Sequence, residues 1–319
     1  MADVIFKVRD LKRWFKSGKR TVKALDGVSF DLKQGETLSL VGESGCGKTT
    51  CVRTLLGIYP PTQGTVTWKG RDTISLSRAE RTSFRKENQM IFQDAYACLD
   101  PRMTVSEIME EGIRRHFAYS AQARREIVAE LLKTVGLTAE FSARFPHELS
   151  GGQRQRVGIA RALALEPECL ICYDPIAALD VSIQAQIINL LTRLQRERGL
   201  TYLMISHDLV MVQHISDRIA VMYLGVIVEL SEAGALYENP LHPYTKALLS
   251  AIPRSEPGSD WLNRRVQLDG EVPNPVDPPP GCKFFGRCPR ATERCGTEAP
   301  PLHEVEPGHF AACWRVGML

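Results

Sequence analysis

The chain has 319 residues, a formal net charge of +3, 44% hydrophobic and 24% charged residues, the balance of an ordinary globular protein long enough for one large or two modest domains. So small a net charge excludes a strongly basic nucleic-acid binder, and no apolar run approaches the roughly 20 residues that a membrane-crossing helix needs. Met1 to Arg13 alternates charged and apolar residues without a signal-peptide core, so a cytoplasmic chain with reduced thiols is expected.

Val28–Leu32 and Thr37–Val41 read as strands, and the second runs into Gly42-Glu43-Ser44-Gly45-Cys46-Gly47-Lys48-Thr49 before a helix over Lys48–Leu56. This is a G-x-x-x-x-G-K-[ST] phosphate loop in its strand-to-helix context. Its glycines let backbone N–H groups close around phosphates, and the helix N-terminus adds a positive dipole. Lys48 can reach the β- and γ-phosphates, and the Thr49 hydroxyl can bind Mg²⁺; Thr50 completes the expected ATP-binding set. A β-rich stretch follows around Gly64–Trp68, then a buried strand Gln89–Phe92 that ends at Gln93.

From Val105 to about Ala164 the pattern is helical, with helices over Val105–Arg115, Ala121–Val135 and Arg154–Ala164. Leu149-Ser150-Gly151-Gly152-Gln153 precedes the last of these; Ser150 suits an N-cap and the glycines expose backbone donors at a helix start. Buried strands resume at Cys169–Tyr173, Thr201–Ser206 and Arg218–Tyr223, with a helix Ser182–Arg198 between the first two. The alternation predicts an α/β fold with a mainly parallel sheet covered on both faces, the helical block being an inserted subdomain. Composition shifts near Pro253 towards Pro, Gly and Asp, including Pro273, Pro275 and Pro278 to Pro280, which places a domain boundary there. No internal repeat is seen.

The phosphate loop, the Leu149–Gln153 word and a lone His207 after an apolar run together resemble the ATP-binding cassette (ABC) family. The resemblance implies a RecA-like phosphate-loop core with an antiparallel β portion and a helical subdomain at about 94–164. It also implies that two cassettes pair head to tail, each ATP lying between one subunit's phosphate loop and the other's signature, here Ser150, Gly151, Gly152 and Gln153. Gln93 looks like the Q-loop glutamine that contacts Mg²⁺ and the attacking water, Ala178-Leu179-Asp180 resembles the D-loop, and His207 looks like the switch histidine. Phe15 is placed like the aromatic that stacks on adenine, with Trp14 as its competitor.

His242-Pro243-Tyr244-Thr245-Lys246-Ala247-Leu248-Leu249 and the Pro-rich arm ending Pro278-Pro279-Pro280-Gly281-Cys282 are similar to ATPase subunits of oligopeptide and dipeptide importers. That implies a second, different ATPase subunit, two transmembrane permeases and an extracytoplasmic binding protein, with this chain peripheral at the cytoplasmic face of the membrane and no nucleic acid involved. Docking is expected through the segment after Gln93, including Tyr96 and Leu99. Other readings are a regulatory cassette that binds ATP without hydrolysing it, and a soluble cassette acting on DNA or ribosomes. The domains expected are a nucleotide-binding domain over 1–252 and a Pro-rich, Cys-rich extension over 253–319.

One motif departs from the family. Where an apolar strand should end in Asp-Glu-Pro, seven residues before the D-loop Asp180, this chain has Tyr173-Asp174-Pro175. The first acid normally helps hold Mg²⁺, and a neutral phenol is a poor substitute. The second orients or deprotonates water; Asp is one methylene shorter than Glu, so its carboxylate retreats by roughly 1.5 Å. A misplacement of about 1 Å can cost roughly 100-fold in rate. Asp174, with Gln93 and His207, is therefore expected to act weakly, at a site that binds ATP and turns it over slowly, while the signature completes the partner's site.

Of nine cysteines, Cys46, Cys51, Cys98, Cys169 and Cys172 read as small core or loop residues. Cys282, Cys288, Cys295 and Cys313 crowd the tail, and four thiolates can hold a metal centre. The absence of a C-x2-C knuckle and the likeness to importer ATPases favour a [4Fe–4S] cluster over zinc and over free or disulfide-paired thiols. His303 and His309 read as solvated tail residues.

Overall fold

The computed structural model describes residues 3–177, 179–252, 266–268, 270, 273–276 and 278–316. The boundary expected near Pro253 and Ala178 of the D-loop lie outside the described residues. Along the chain the elements are β1 Val4–Ser17, β2 Arg20–Lys33, β3 Thr37–Val41, α1 Lys48–Leu55, β4 Gln63–Trp68, β5 Arg71–Asp72, α2 Arg78–Glu87, β6 Asn88–Ile91, α3 Val105–His116, α4 Ala121–Thr134, α5 Gly151–Leu163 and β7 Cys169–Tyr173. There follow α6 Val181–Arg198, β8 Thr201–Ile205, α7 Leu209–Ile215, β9 Arg218–Tyr223, β10 Val226–Glu232, α8 Ala233–Glu238, α9 Pro243–Ser250, α10 Glu293–Thr297, β11 His303–Glu306 and β12 His309–Ala311. The chain falls into two units, Met1–Ser75 with Ile205–Leu319, and Leu76–Met204. The α/β class and the antiparallel β portion are those expected.

In the first unit β2, β1, β4 and β5 form an antiparallel sheet in that order. Its inner face buries Phe6, Val8, Leu11, Leu25, Val28 and Leu32. The long strand β1 is not foreseen from sequence, because its register shifts between Val8 and Leu11 and breaks the two-residue period. Asp10 sits in that irregularity at φ 43°, and Gly64 of β4 passes so close that a Cβ there would meet the Asp10 carbonyl oxygen at 2.2 Å. The unit's other strands run β3, β9, β10, β12, β11. β3 and β9 are parallel, and the rest of that stretch is antiparallel. Leu224 and Gly225, at φ 42° and 79°, make the tight turn from β9 to β10, the pair of positive angles that a two-residue hairpin of this kind demands.

The tail therefore contributes two strands to the sheet that carries the phosphate loop, although sequence pattern gave no hint of them. His309 of β12 hydrogen-bonds through Nε2 to Glu229 of β10 at 2.8 Å. Both are buried, so this histidine belongs to the core, against the solvated reading from sequence. Glu229 also accepts the N–H groups of Leu241 and His242 at 2.7 and 2.8 Å.

The second unit carries β8, β7 and β6 in that order, with β6 and β7 parallel. Its helices start where the sequence supplies caps. Ser77 and Thr104 each close a reciprocal capping box with a glutamate three residues on, and Ser120 caps α4 by accepting from Ala123 N–H. Their apolar faces bury Ile108, Met109, Ile113, Val128 and Leu132. α3 and α4 match the expected helices to within a residue, as do the core strands β3, β7, β8 and β9.

Candidate nucleotide site

The phosphate loop lies between β3, buried along its whole length, and α1. Gly42 and Gly47 adopt φ of 147° and 109°. A Cβ at either would meet a backbone oxygen, Met222 at 2.2 Å and Ala24 at 2.4 Å, so no other residue type fits. Gly47 caps α1 without a side chain, which leaves the first N–H groups of the helix for an anion. Lys48 Nζ lies over the loop, donating to the carbonyls of Gly42 at 2.7 Å and Glu43 at 3.0 Å. Ser44 and Gly45 are exposed, whereas Thr49 and Thr50 are half-buried in the first turn of α1. Cys46 is buried, and burial pushes its thiol up. With Cys51, Cys169 and Cys172 it belongs to the core, and Cys98 is half-buried, as the sequence suggested.

His207 belongs to the same unit. β8 delivers it: Ser206 N–H donates to Leu40 of β3 at 3.4 Å, and the Asp208 carboxylate caps α7 by accepting from Val210 and Met211. The His207 ring is exposed between these fixed points. Phe15 and Trp14 of β1 are both half-buried. Phe15 meets the Tyr59 ring edge-on at 5.3 Å under the Arg13 guanidinium at 4.5 Å. Trp14 has Lys23 Nζ 5.3 Å over its ring.

The remaining candidates belong to the second unit. α5 begins at Gly151, three residues before the expected start, because Ser150 and Gln153 form a capping box: Gln153 N–H donates to Ser150 Oγ at 3.3 Å, and Ser150 N–H to Gln153 Oε1 at 2.9 Å. The two signature glycines thus lie inside the first turn, where helical N–H groups lack intrahelical partners. A Cβ on Gly152 would meet Ile183 Cγ2 at 2.6 Å, whereas one on Gly151 meets only Leu179 Cδ2 at 3.5 Å. The same helix holds the segment around Gln93. Gln155 Nε2 donates to Phe92 O at 3.5 Å, Arg161 to Cys98 O at 2.6 Å, and the Arg154 guanidinium lies 5.3 Å over the Tyr96 ring. Gln93 and Tyr96 are exposed, and Leu99 is buried.

β7 ends at Tyr173, which is half-buried, and Asp174 follows buried at 7% exposure with φ 44°. Asp is among the few non-glycine types that adopt this left-handed conformation readily. Asp180 opens α6, and Gln184 Nε2 ties the turn before it through Leu179 O at 3.0 Å and Ile176 O at 3.3 Å.

Cys282, Cys288, Cys295 and Cys313 line one small cavity of about 20 Å³, together with Phe284, Arg290 and Arg315. Burial pushes the Cys282 thiol up to about 11 and raises those of Cys288 and Cys313. Among the described residues no three His, Cys, Asp or Glu side chains are grouped to hold a metal ion, so the expected metal ligands converge without forming a ready-made coordination shell. The donor chemistry still fits a thiolate-bound centre, with two arginines beside it to offset the charge.

The ABC transporter family model matches residues 25–177, and that of the oligopeptide/dipeptide transporter C-terminal region matches residues 228–295. The oligopeptide transport ATP-binding protein AppF of Bacillus subtilis (strain 168) is 52% identical over 98% of this chain and 97% of its own length. This chain belongs to the ABC transporter family. The oligopeptide transport ATP-binding protein OppF of Salmonella typhimurium is 49% identical over 99% of this cassette and 95% of its own length. Among solved structures, the ATP-binding cassette MJ0796 in a dimeric post-hydrolysis state with ADP and Pi is 32% identical. It superposes with a TM-score of 0.65 over 72% of this chain and 98% of its own.

Sequence reasoning missed two residues that touch the phosphate loop. Arg287 pairs with the Glu43 carboxylate at 2.9 and 3.2 Å, and the Tyr244 hydroxyl accepts the Glu43 N–H at 2.9 Å. Tyr244 lies in the His242–Leu249 word that the importer resemblance singled out without a role. Nothing in sequence spacing announces Arg287, which lies 244 positions from its partner.

Proposed function

We propose that this chain is the ATP-binding subunit of an oligopeptide importer, peripheral at the cytoplasmic face of a membrane. It works with a second ATPase subunit, two transmembrane permeases and an extracytoplasmic binding protein, and with no nucleic acid. The near-complete coverage of AppF and OppF supports this reading. The two ATPase subunits do unequal work, and the observation that carries the inequality is Tyr173-Asp174 at the end of β7.

The phosphate loop supplies backbone N–H groups, Lys48 and the α1 dipole to the triphosphate. Thr49 and Gln93 would hold Mg²⁺, and His207 would contact the γ-phosphate. Phe15, or Trp14 in its place, would stack on adenine. These groups suffice to bind ATP. Turnover also needs an acid that steadies the metal and one that orients water; with Tyr173 in the first place and the shorter Asp174 in the second, this site holds ATP and hydrolyses it poorly. The signature, Ser150 to Gln153, instead presents the start of α5 to the partner's ATP. Cys282, Cys288, Cys295 and Cys313 bind a [4Fe–4S] cluster, with zinc as the alternative; when bound, the cluster supplies a cross-link between separate stretches of the tail. The four cysteines lining one cavity support a centre bound by their thiols.

The test is ATP turnover of the purified importer carrying Gly151→Asp in this chain alone. Gly151 has room for a side chain where Gly152 does not, so the new carboxylate repels the partner's γ-phosphate without displacing Ile183. Turnover should fall to near zero. Retention of about half the activity would mean that the Tyr173/Asp174 site hydrolyses ATP, and the asymmetric reading would be wrong.

A further inference from the structure

Glu43, the second residue of the phosphate loop, is gripped from outside the motif. Its carboxylate takes both arms of the Arg287 guanidinium, and its N–H donates to Tyr244. Arg287 sits on the short 3₁₀ turn Phe285–Arg287, between Cys282 and Cys288. Its side chain is 9% exposed and that of Glu43 27%, so the pair is screened far less than a surface ion pair. The support beneath it is rigid. Tyr244 meets Tyr223 edge-on at 4.7 Å, and Phe284 packs on both rings at 5.5 and 5.3 Å. Arg287 Nη1 also reaches the Tyr223 hydroxyl at 3.4 Å.

A loop that gathers the negative charge of a triphosphate here carries a carboxylate of its own. Left alone, that charge opposes the ligand. Paired in bidentate fashion, it is neutralised and its direction is fixed towards the tail. We propose that Arg287 is a positioning residue for nucleotide binding: it cancels and turns aside the Glu43 carboxylate, which makes the Cys-rich tail part of the ATP site. The proposal rests on ATP binding at this loop and is independent of whether Tyr173 and Asp174 permit hydrolysis.

The experiment measures the Kd of the purified full-length chain for a fluorescent ATP analogue. Arg287→Ala should weaken binding about tenfold, the size of one charged contact. Arg287→Ala with Glu43→Gln removes both charges and should regain most of that loss, which a purely structural role of Arg287 would not allow. Arg287→Gln removes the charge while keeping a shorter side chain that still hydrogen-bonds; it replaces the alanine variant, with the same expectations, should that one fail to fold. Binding within about twofold of wild type in the single variant, or no recovery in the double, would overturn the proposal. Wild-type chain that bound no ATP would overturn the cassette reading itself, and the proposal with it.

Discussion

At the phosphate loop, backbone geometry dictates residue type. Gly42 and Gly47 take positive φ and press on backbone oxygens, so the motif is legible wherever it occurs. The acid-pair proposal rests instead on counting: Tyr173 and Asp174 stand seven and six residues before Asp180, where the family resemblance expects Asp and Glu. If those two residues alone silence the site, restoring them should revive it. In an importer whose partner site is blocked by Gly151→Asp, adding Tyr173→Asp and Asp174→Glu should raise ATP turnover about 100-fold, the cost of a misplaced group. Unchanged turnover would show that the defect lies elsewhere. The Glu43–Arg287 pair was not legible, since an ion pair between residues 244 apart in sequence leaves no local pattern.

Elements were legible where a single local rule governed them. β3, β7 and β9 are buried apolar runs, and α3 and α4 start after Thr104 and Ser120 caps. β1 was hidden by its irregular register, and β12 by its shortness. α9 shows how far a cap can reach. His242 Nδ1 accepts the Tyr244 N–H at 3.1 Å, which requires a neutral ring. Burial holds its pKa down at about 4 from 6.5, against the smaller opposing pull of Glu229. His309, bonded to the same Glu229, and the Phe284 ring lie beside it, and His242 lines one cavity with the four tail cysteines, Arg290 and Arg315. Because the folded value is depressed, the unfolded chain binds the proton first as pH falls. The contribution is intact above pH 6.5 and is lost progressively down to about 4. The loss amounts to about 2 kcal/mol at pH 5, or a few degrees in Tm. His242→Asn, which caps without titrating, should flatten the fall in Tm between about pH 7 and pH 5. Parallel curves for variant and wild type would refute the assignment.

At the scale of the whole molecule, the tail is tied to the rest of the first unit by several independent bonds. Lys23 N–H donates to Pro275 O at 3.0 Å, Lys283 pairs with Asp26 at 3.0 Å, and β12 extends the sheet through β10. Within the tail two of the cysteine segments meet directly. Cys282 N–H donates to Cys295 O at 2.8 Å, and Gly281 passes so close that a Cβ would meet that same oxygen at 2.3 Å. Cys313 follows from beyond β12. A centre bound by all four sulfurs would cross-link these stretches, and its binding energy would add to folding stability. Full-length chain purified without oxygen should therefore carry iron and acid-labile sulfide in equal amounts, about four of each. Chelation of the iron should lower Tm by several degrees, and Cys295→Ser should reduce the iron and remove most of that difference. One zinc per chain would favour the alternative centre, and metal-free chain of unchanged Tm would leave the fold to the sheet and ion pairs alone.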